Sequence, residues 1–150
     1  MTTVAARVRS AVAAAGFVVE DFVELPDLPP PMAVWKPFLL ASATPAARIP
    51  CGDPDHDDQV DRAWWGLSSG DGTMVLSVEG AGGLPWLRAR TNGGRPRASA
   101  VGLPGHSKGF AALSLDGRVS TAVSSEEWET WIFAGQPVRR SEGPARSRSG

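Results

Sequence analysis

The sequence predicts an α+β fold in which a helix comes first, a largely antiparallel sheet follows and a short helix closes the chain. Three observations predict it: a helical stripe near the N-terminus, several short β-rich segments separated by turn residues, and a helix-start pattern after residue 123. We expect residues 1–135 to form a single domain. Residues 136–150 are basic and almost free of large apolar side chains, so we expect a disordered tail there.

The composition is that of a globular chain long enough to bury a core, with 150 residues, 42% hydrophobic and 21% charged. One cysteine cannot form an internal disulfide. No apolar run approaches the ~18 residues that span a bilayer, and no secretion signal is apparent. We therefore expect neither a membrane nor an oxidising compartment.

The first helix is predicted over residues 4–15. Thr3 is a suitable N-cap, and Gly16 occupies the position where a left-handed residue ends many helices. The apolar residues recur at helical spacing and form one stripe: Val4, Val8, Val12 and Ala15.

A strand is predicted next, over FVVEDFVEL (17–25), with its alternation broken at Asp21. Three prolines at 29–31 then favour an extended path. The following segment, MAVWKPFLLA (32–41), is apolar but contains Pro37, which removes a ladder donor. We interpret it as an edge strand, or as two pieces.

The second half reads as a series of short strands closed by a helix. Asp116-Gly117 is a two-residue turn signal between two of them. Ser124 and Glu127 have the spacing of a capping box, and Val123 can pack on Trp128, which predicts the closing helix. The predicted strands are 73–79, 84–90, 95–103, 110–115 and 118–123.

The stretch CGDPDHDDQVD (51–61) is the densest cluster of chemical groups. An EF-hand loop is excluded, because its sixth and twelfth positions are Asp58 and Trp64 instead of glycine and glutamate. We interpret the stretch as a solvated acidic loop that precedes a short helix. The alternative is a looser calcium or magnesium site on the weak candidate ligands Asp53, Asp55 and Asp57, in which case the chain would be a small cation-dependent enzyme or binding domain.

Three other catalytic or binding motifs each lack residues that the motif requires. Zinc on Cys51 and His56 would need further soft ligands, and His106 is the only other histidine. The glycine-rich stretch 101–110 has no GK[ST] entering a helix. Ser107 has no nucleophile elbow. We predict no catalytic residue and no cofactor, and therefore a protein that is not an enzyme.

The arginines of LRARTNGGRPR suggest a third alternative, a small regulatory module that touches nucleic acid. Alternate arginines on a strand pair project from one face, where they can meet phosphates. The chain as a whole has a formal net charge of −1, so nucleic acid is not our first expectation as a partner. The residues concerned are Arg88, Arg90, Arg95 and Arg97.

Self-association is the function that the residues favour. Residues 1–86 contain five Lys/Arg against eleven Asp/Glu, and residues 87–150 contain ten against five. Copies can stack through complementary charge, unless folding intermixes the two halves and cancels the field. The edge segment 32–40 and the adjacent tryptophans would supply apolar contacts. The predicted subunit contacts are Val34, Trp35, Phe38, Trp64 and Trp65.

A family resemblance points the same way. Residues 3–36 form a short helix, a strand, a proline-rich bend and a second strand that opens with PPMAV. This resembles the start of the small tail-terminator or tail-completion proteins of long-tailed actinobacterial phages. The resemblance implies a ring-forming subunit that joins tail to head, with itself and other virion proteins as partners, located in the virion or the host cytoplasm. It assigns no functional residue.

Overall fold

The computed structural model describes residues 3–40, 42–68 and 72–135. Seven antiparallel strands form one sheet in the order β1-β4-β3-β5-β6-β7-β2, which confirms the α+β class. The elements are α1 (Val4–Ala14), β1 (Phe17–Val23), α2 (Pro31–Leu39), β2 (Ala47–Pro50), α3 (His56–Leu67), β3 (Thr73–Val78), β4 (Trp86–Thr91), a 3-10 turn (Ala98–Ala100), β5 (Gly109–Ser114), β6 (Ser120–Ser125) and β7 (Glu129–Gly135).

The predicted start of the chain is confirmed. The Thr3 hydroxyl accepts a hydrogen bond from the Ala6 amide at 3.1 Å, and Gly16 adopts a φ of 104°. β1 pairs with β4, and its register shifts between Val19 and Phe22. The irregularity covers Glu20 and Asp21, and the alternation of the sequence is also broken at Asp21.

Both faces of the sheet are covered. On the first face, α1 and α3 pack on one buried cluster that includes Val12, Trp64 and Phe110. On the second face, α2 packs on a cluster that includes Trp35 and Phe133. Helices on both faces explain why strands such as β5 are buried along their whole length.

The strand predicted over 32–41 is wrong, because this segment is the helix α2. Pro30 is still extended, with ψ 162°, but Pro31 is the first helical residue, where its fixed φ suits a helix start. Pro37 has no N–H to donate to the Ala33 carbonyl, so one helical hydrogen bond is lost. Both residues are exposed to solvent. The proline was therefore a poor reason to reject a helix this short.

The predicted closing helix is also wrong, because residues 129–135 form strand β7. Thr130 and Ile132 face α3 while Phe133 faces α2, an alternation that buries apolar surface on both sides. Trp128 is 75% exposed in the preceding turn and does not staple a helix. Ser124 lies in β6 and donates to Glu126 of the β6–β7 connection.

Most of the remaining strands are confirmed. Strands β3, β4, β5 and β6 form at the predicted places. The β5–β6 turn contains Gly117 with a positive φ (74°), but residues 115–118 lie between the bonded Ser114 and Val119, so the turn has four residues instead of the predicted two. Residues 95–103 are wrong as a strand, since they form a connection with the 3-10 turn. The predicted tail, 136–150, lies outside the described residues. Among the helices that the structure describes, none has the length and apolar character needed to cross a bilayer.

Candidate functional site

Helix α2 is fixed to the sheet by its inner face. The Trp35 indole Nε1 donates to the Ser77 hydroxyl at 3.2 Å, and the Phe38 ring stacks on Phe133 with centroids 5.2 Å apart. Val34 is buried beside them. These contacts hold the helix in one orientation and thereby determine which side chains it presents outward.

The outer face of α2 and its C-cap are unusually apolar. Met32 is 46% exposed, Leu39 64% and Leu40 59%. They are three of the six large hydrophobic side chains that are exposed within the described residues. Clustering of this kind marks binding surfaces, whereas single exposed leucines are ordinary.

A groove of about 400 Å³ runs along one side of α2, between the helix and strands β7 and β2. We call it the Trp131 groove. Its walls are mainly aromatic and aliphatic, with Phe38 and Leu40 on the helix side and Trp131 on the sheet side. The Arg48 guanidinium lies 4.8 Å from the centre of the Trp131 ring, a cation–π contact.

A second groove, of about 350 Å³, lies on the other side of α2. We call it the Glu79 groove. The two grooves adjoin, because four residues line both: Trp35, Leu39, Ser124 and Glu126. Glu79 and Glu126 give it an acidic wall opposite the apolar side chains of the helix.

The electrostatics of the Glu79 groove are dominated by this pair of carboxylates. Burial and the neighbouring Glu126 charge raise the pKa of Glu79, while His106 acts in the opposite direction. The Ser124 hydroxyl donates to Glu126 at 2.6 Å. Within the described ranges, no ion pair involves either glutamate.

Tight backbone packing positions these groups. A Cβ on Gly109 would lie 2.6 Å from the Val123 carbonyl and 2.9 Å from Glu79 Oε1, so only glycine fits there. A Cβ on Gly80 would lie 2.7 Å from His106 Nδ1, which shows how closely the 101–110 loop approaches Glu79. Gly80 and Gly109 therefore allow the close approach of His106 and Glu79.

The predicted subunit contacts are mostly inside the molecule. Val34, Trp35 and Trp64 are buried, because their helices present them to the sheet. Trp65 is half-buried against Trp64, with ring centroids 6.3 Å apart. Phe38 is half-buried and lines the Trp131 groove.

The acidic stretch bonds within itself and begins α3, as the loop interpretation expects. Asp53 and Asp55 both accept from the Gln59 side-chain amide, at 3.1 and 2.7 Å. The His56 ring joins Asp57 and Thr130, each at 2.8 Å. No group of three or more acidic, histidine or cysteine residues in the described part of the chain is arranged to hold a metal ion.

The four arginines do not form the predicted single face. Arg88 and Arg90 lie on β4 and pair with Glu20, at 3.1 and 3.3 Å. Arg95 pairs with Asp58 near α3, and Arg97 donates to a carbonyl at the end of α1. The prediction failed because the last two follow the strand and lie near the helices of the opposite face.

Comparison with known proteins adds no relative: no protein-family model, curated protein or solved structure matches this chain. The candidate site thus rests on geometry alone. Sequence reasoning missed Glu79, Glu126 and Arg48, since none stands in a motif. The available signal was the apolar pair Leu39-Leu40, which begins two residues after Pro37 in a short segment, and the assignment of that segment as a strand conceals it.

Proposed function

We propose that this protein is a non-enzymatic assembly subunit that associates with a second copy of itself through the outer face of α2. The exposure of Leu39 and Leu40 at the mouth of the Trp131 groove carries the proposal. Burying a leucine side chain stabilises an interface by about 1.5–3 kcal/mol, so two adjacent leucines favour association.

The wider class we propose is a head–tail or tail component of a virion. The resemblance over residues 3–36 supports it. The opposite charge of the two halves does not, because β1 pairs with β4 and Glu20 pairs with Arg88 and Arg90, so folding mixes the halves. The second strand expected within that resemblance is helix α2, so the apolar contact surface belongs to a helix. The edges of the sheet are instead β1 and β2.

The test is the mass of the purified chain in solution, measured by light scattering with and without EDTA. We expect an oligomer of the 15.7 kDa chain that does not respond to the chelator. The double variant Leu39→Glu/Leu40→Glu should shift the mass to that of the monomer, because both charges would be buried in the interface.

Leu115→Glu is the matched control, since Leu115 is a leucine that is 38% exposed in the β5–β6 turn and lines neither groove. It should leave the mass unchanged, and circular dichroism should show both variants folded. A wild-type chain that stays monomeric at every concentration, or that dissociates equally with Leu115→Glu, contradicts the proposal.

A further inference from the structure

The Glu79 groove has an acidic wall with an apolar wall opposite, and the structure describes no cation that pairs with it. Its two carboxylates belong to Glu79 and Glu126, and the apolar wall is formed by Met32, Trp35 and Leu39. A peptide that combines arginine or lysine with an apolar residue complements such a surface.

The chain itself supplies a segment of this chemistry. Residues 136–150, QPVRRSEGPARSRSG, contain four arginines, one glutamate and one valine, a charge of +3. We propose that this segment binds in cis along α2 of its own chain, with its arginines at Glu79 and Glu126. The inference goes beyond the proposed function, and the two compete at Leu39: the bound segment would cover part of the surface proposed for the second copy, which could bind there only after displacing it.

The place where β7 ends supports an intramolecular path. A Cβ on Gly135 would lie 3.1 Å from the Phe38 ring, so β7 ends beside the Trp131 groove. Gly135 pairs with Ser120, and Ser125 stands at the other end of β6, next to Glu126. From Ser120 to Ser125, strand β6 spans about 17 Å at ~3.4 Å per residue.

The length of the segment is sufficient. Arg140 is the fifth residue after Gly135 and Arg148 the thirteenth. An extended chain covers about 3.3–3.6 Å per residue, so the segment can reverse direction and still reach Glu126. A tether this short also gives a high effective concentration, which favours the same chain over a second copy.

The charges along α2 determine which part of segment 136–150 binds at each of the two grooves. Arg48 covers Trp131 near the outer wall of the Trp131 groove and would repel another guanidinium. Val138 fits that apolar region, whereas the arginines reach the acidic wall beyond it. The order apolar then basic in the segment matches the order apolar then acidic along α2.

The experiment compares amide NMR spectra of the full chain with those of a variant in which Arg139, Arg140, Arg146 and Arg148 are all changed to Gln. We expect differences at Glu79, Ser124 and Ser125, independent of protein concentration. Val12 and Trp64, in the core of the other face, should keep their shifts and show that the fold is intact.

A peptide titration adds the chemical control. The synthetic peptide 136–150, added to the Arg→Gln variant, should restore the wild-type shifts, and a peptide with four glutamines should not. Adding Glu79→Gln and Glu126→Gln to that variant should weaken peptide binding about tenfold, since two ion pairs are lost.

Three results would overturn the inference. The first is that the groove amides are unchanged by the Arg→Gln substitutions. The second is that their differences grow with protein concentration, which would assign the site to a second copy. The third is that the glutamine peptide binds as tightly as the arginine peptide, which would remove charge as the basis of recognition.

Discussion

Trp64 is the side chain that most clearly links the helices to the sheet. It is fully buried, its indole N–H donates to the Thr121 hydroxyl at 2.9 Å, and its ring meets Phe17 and Phe110 edge to face. A buried tryptophan with these contacts contributes both apolar burial and a satisfied polar group.

Trp64→Ala should lower the free energy of unfolding by about 3–5 kcal/mol, because it leaves a large cavity and an unpaired Thr121 hydroxyl. Urea denaturation measures the change. Trp128→Ala is the matched control, because Trp128 is 75% exposed, and its effect should stay within about 0.5 kcal/mol. Similar losses for the two variants would contradict the packing described here.

Glu79 gives a pH dependence whose sign follows from its raised pKa. Burial and Glu126 disfavour the ionised form in the folded protein, so folding is less stable once pH exceeds the unfolded pKa of about 4.5 and rises through the folded value. The loss of stability is complete when the pH is above both the unfolded and the folded pKa of Glu79, and it is absent below pH 4.5.

Glu79→Gln should therefore raise the urea midpoint at pH 7 and leave it unchanged at pH 4. The comparison is best made with arginines 139, 140, 146 and 148 changed to glutamine, so that they cannot screen the carboxylates. Glu127→Gln, at an exposed position of the β6–β7 connection, is the control. An equal rise of the urea midpoint at pH 4 and at pH 7 would rule out the ionisation of Glu79 as the cause.

Asp116 shows the opposite behaviour in the β5–β6 turn. Hydrogen bonds from the Arg118 amide and the Ser114 hydroxyl lower its pKa. Its contribution to stability is present above the unfolded pKa of 3.8 and disappears as pH falls through the lower folded value. Asp116→Asn should thus destabilise the protein at pH 7 but not at pH 2, as followed by thermal unfolding; equal losses at both would contradict this.

At the scale of elements, the bond between Trp35 and Ser77 attaches α2 to the centre of the sheet. Ser77→Ala should cost about 1–3 kcal/mol in urea unfolding, because it leaves the buried indole N–H without a partner. Ser107→Ala, at an exposed loop position, should be neutral. If Ser77→Ala is also neutral, the hydrogen bond does not hold the helix.

The elements also show how far sequence patterns go. The first helix was predictable because its cap, stripe and terminal glycine agree, and the β5–β6 hairpin because Asp116-Gly117 is specific. Strand β7 was not predictable from the sequence. A Ser-x-x-Glu pattern at 124–127 mimics a capping box, whereas pairing with β6 and β2 makes residues 129–135 a strand. Long-range pairing has no local signature.

The candidate site was less predictable than the fold. The sequence predicted Phe38 as a contact residue, but it placed this residue on an edge strand instead of a helix. The carboxylates of the Glu79 groove come from residues 47 apart in sequence, and only the pairing of β3 with β5 and of β5 with β6 brings them together.

At the scale of the whole molecule, the sheet is built from distant segments. β1 pairs with β4, and β2 pairs with β7. Such non-local topologies fold in about milliseconds to seconds. Stopped-flow tryptophan fluorescence should show refolding in that range, and complete refolding within ~100 μs would contradict the described order of strands.

The same strand order has a consequence for synthesis on the ribosome. The two strands made first, β1 and β2, end at opposite edges of the sheet. β2 must wait for β7, roughly 80 residues later, which is about 4–16 s at ~5–20 residues per second. Until β5 and β6 are made, the apolar face of α2, which packs on them, stays exposed on the nascent chain.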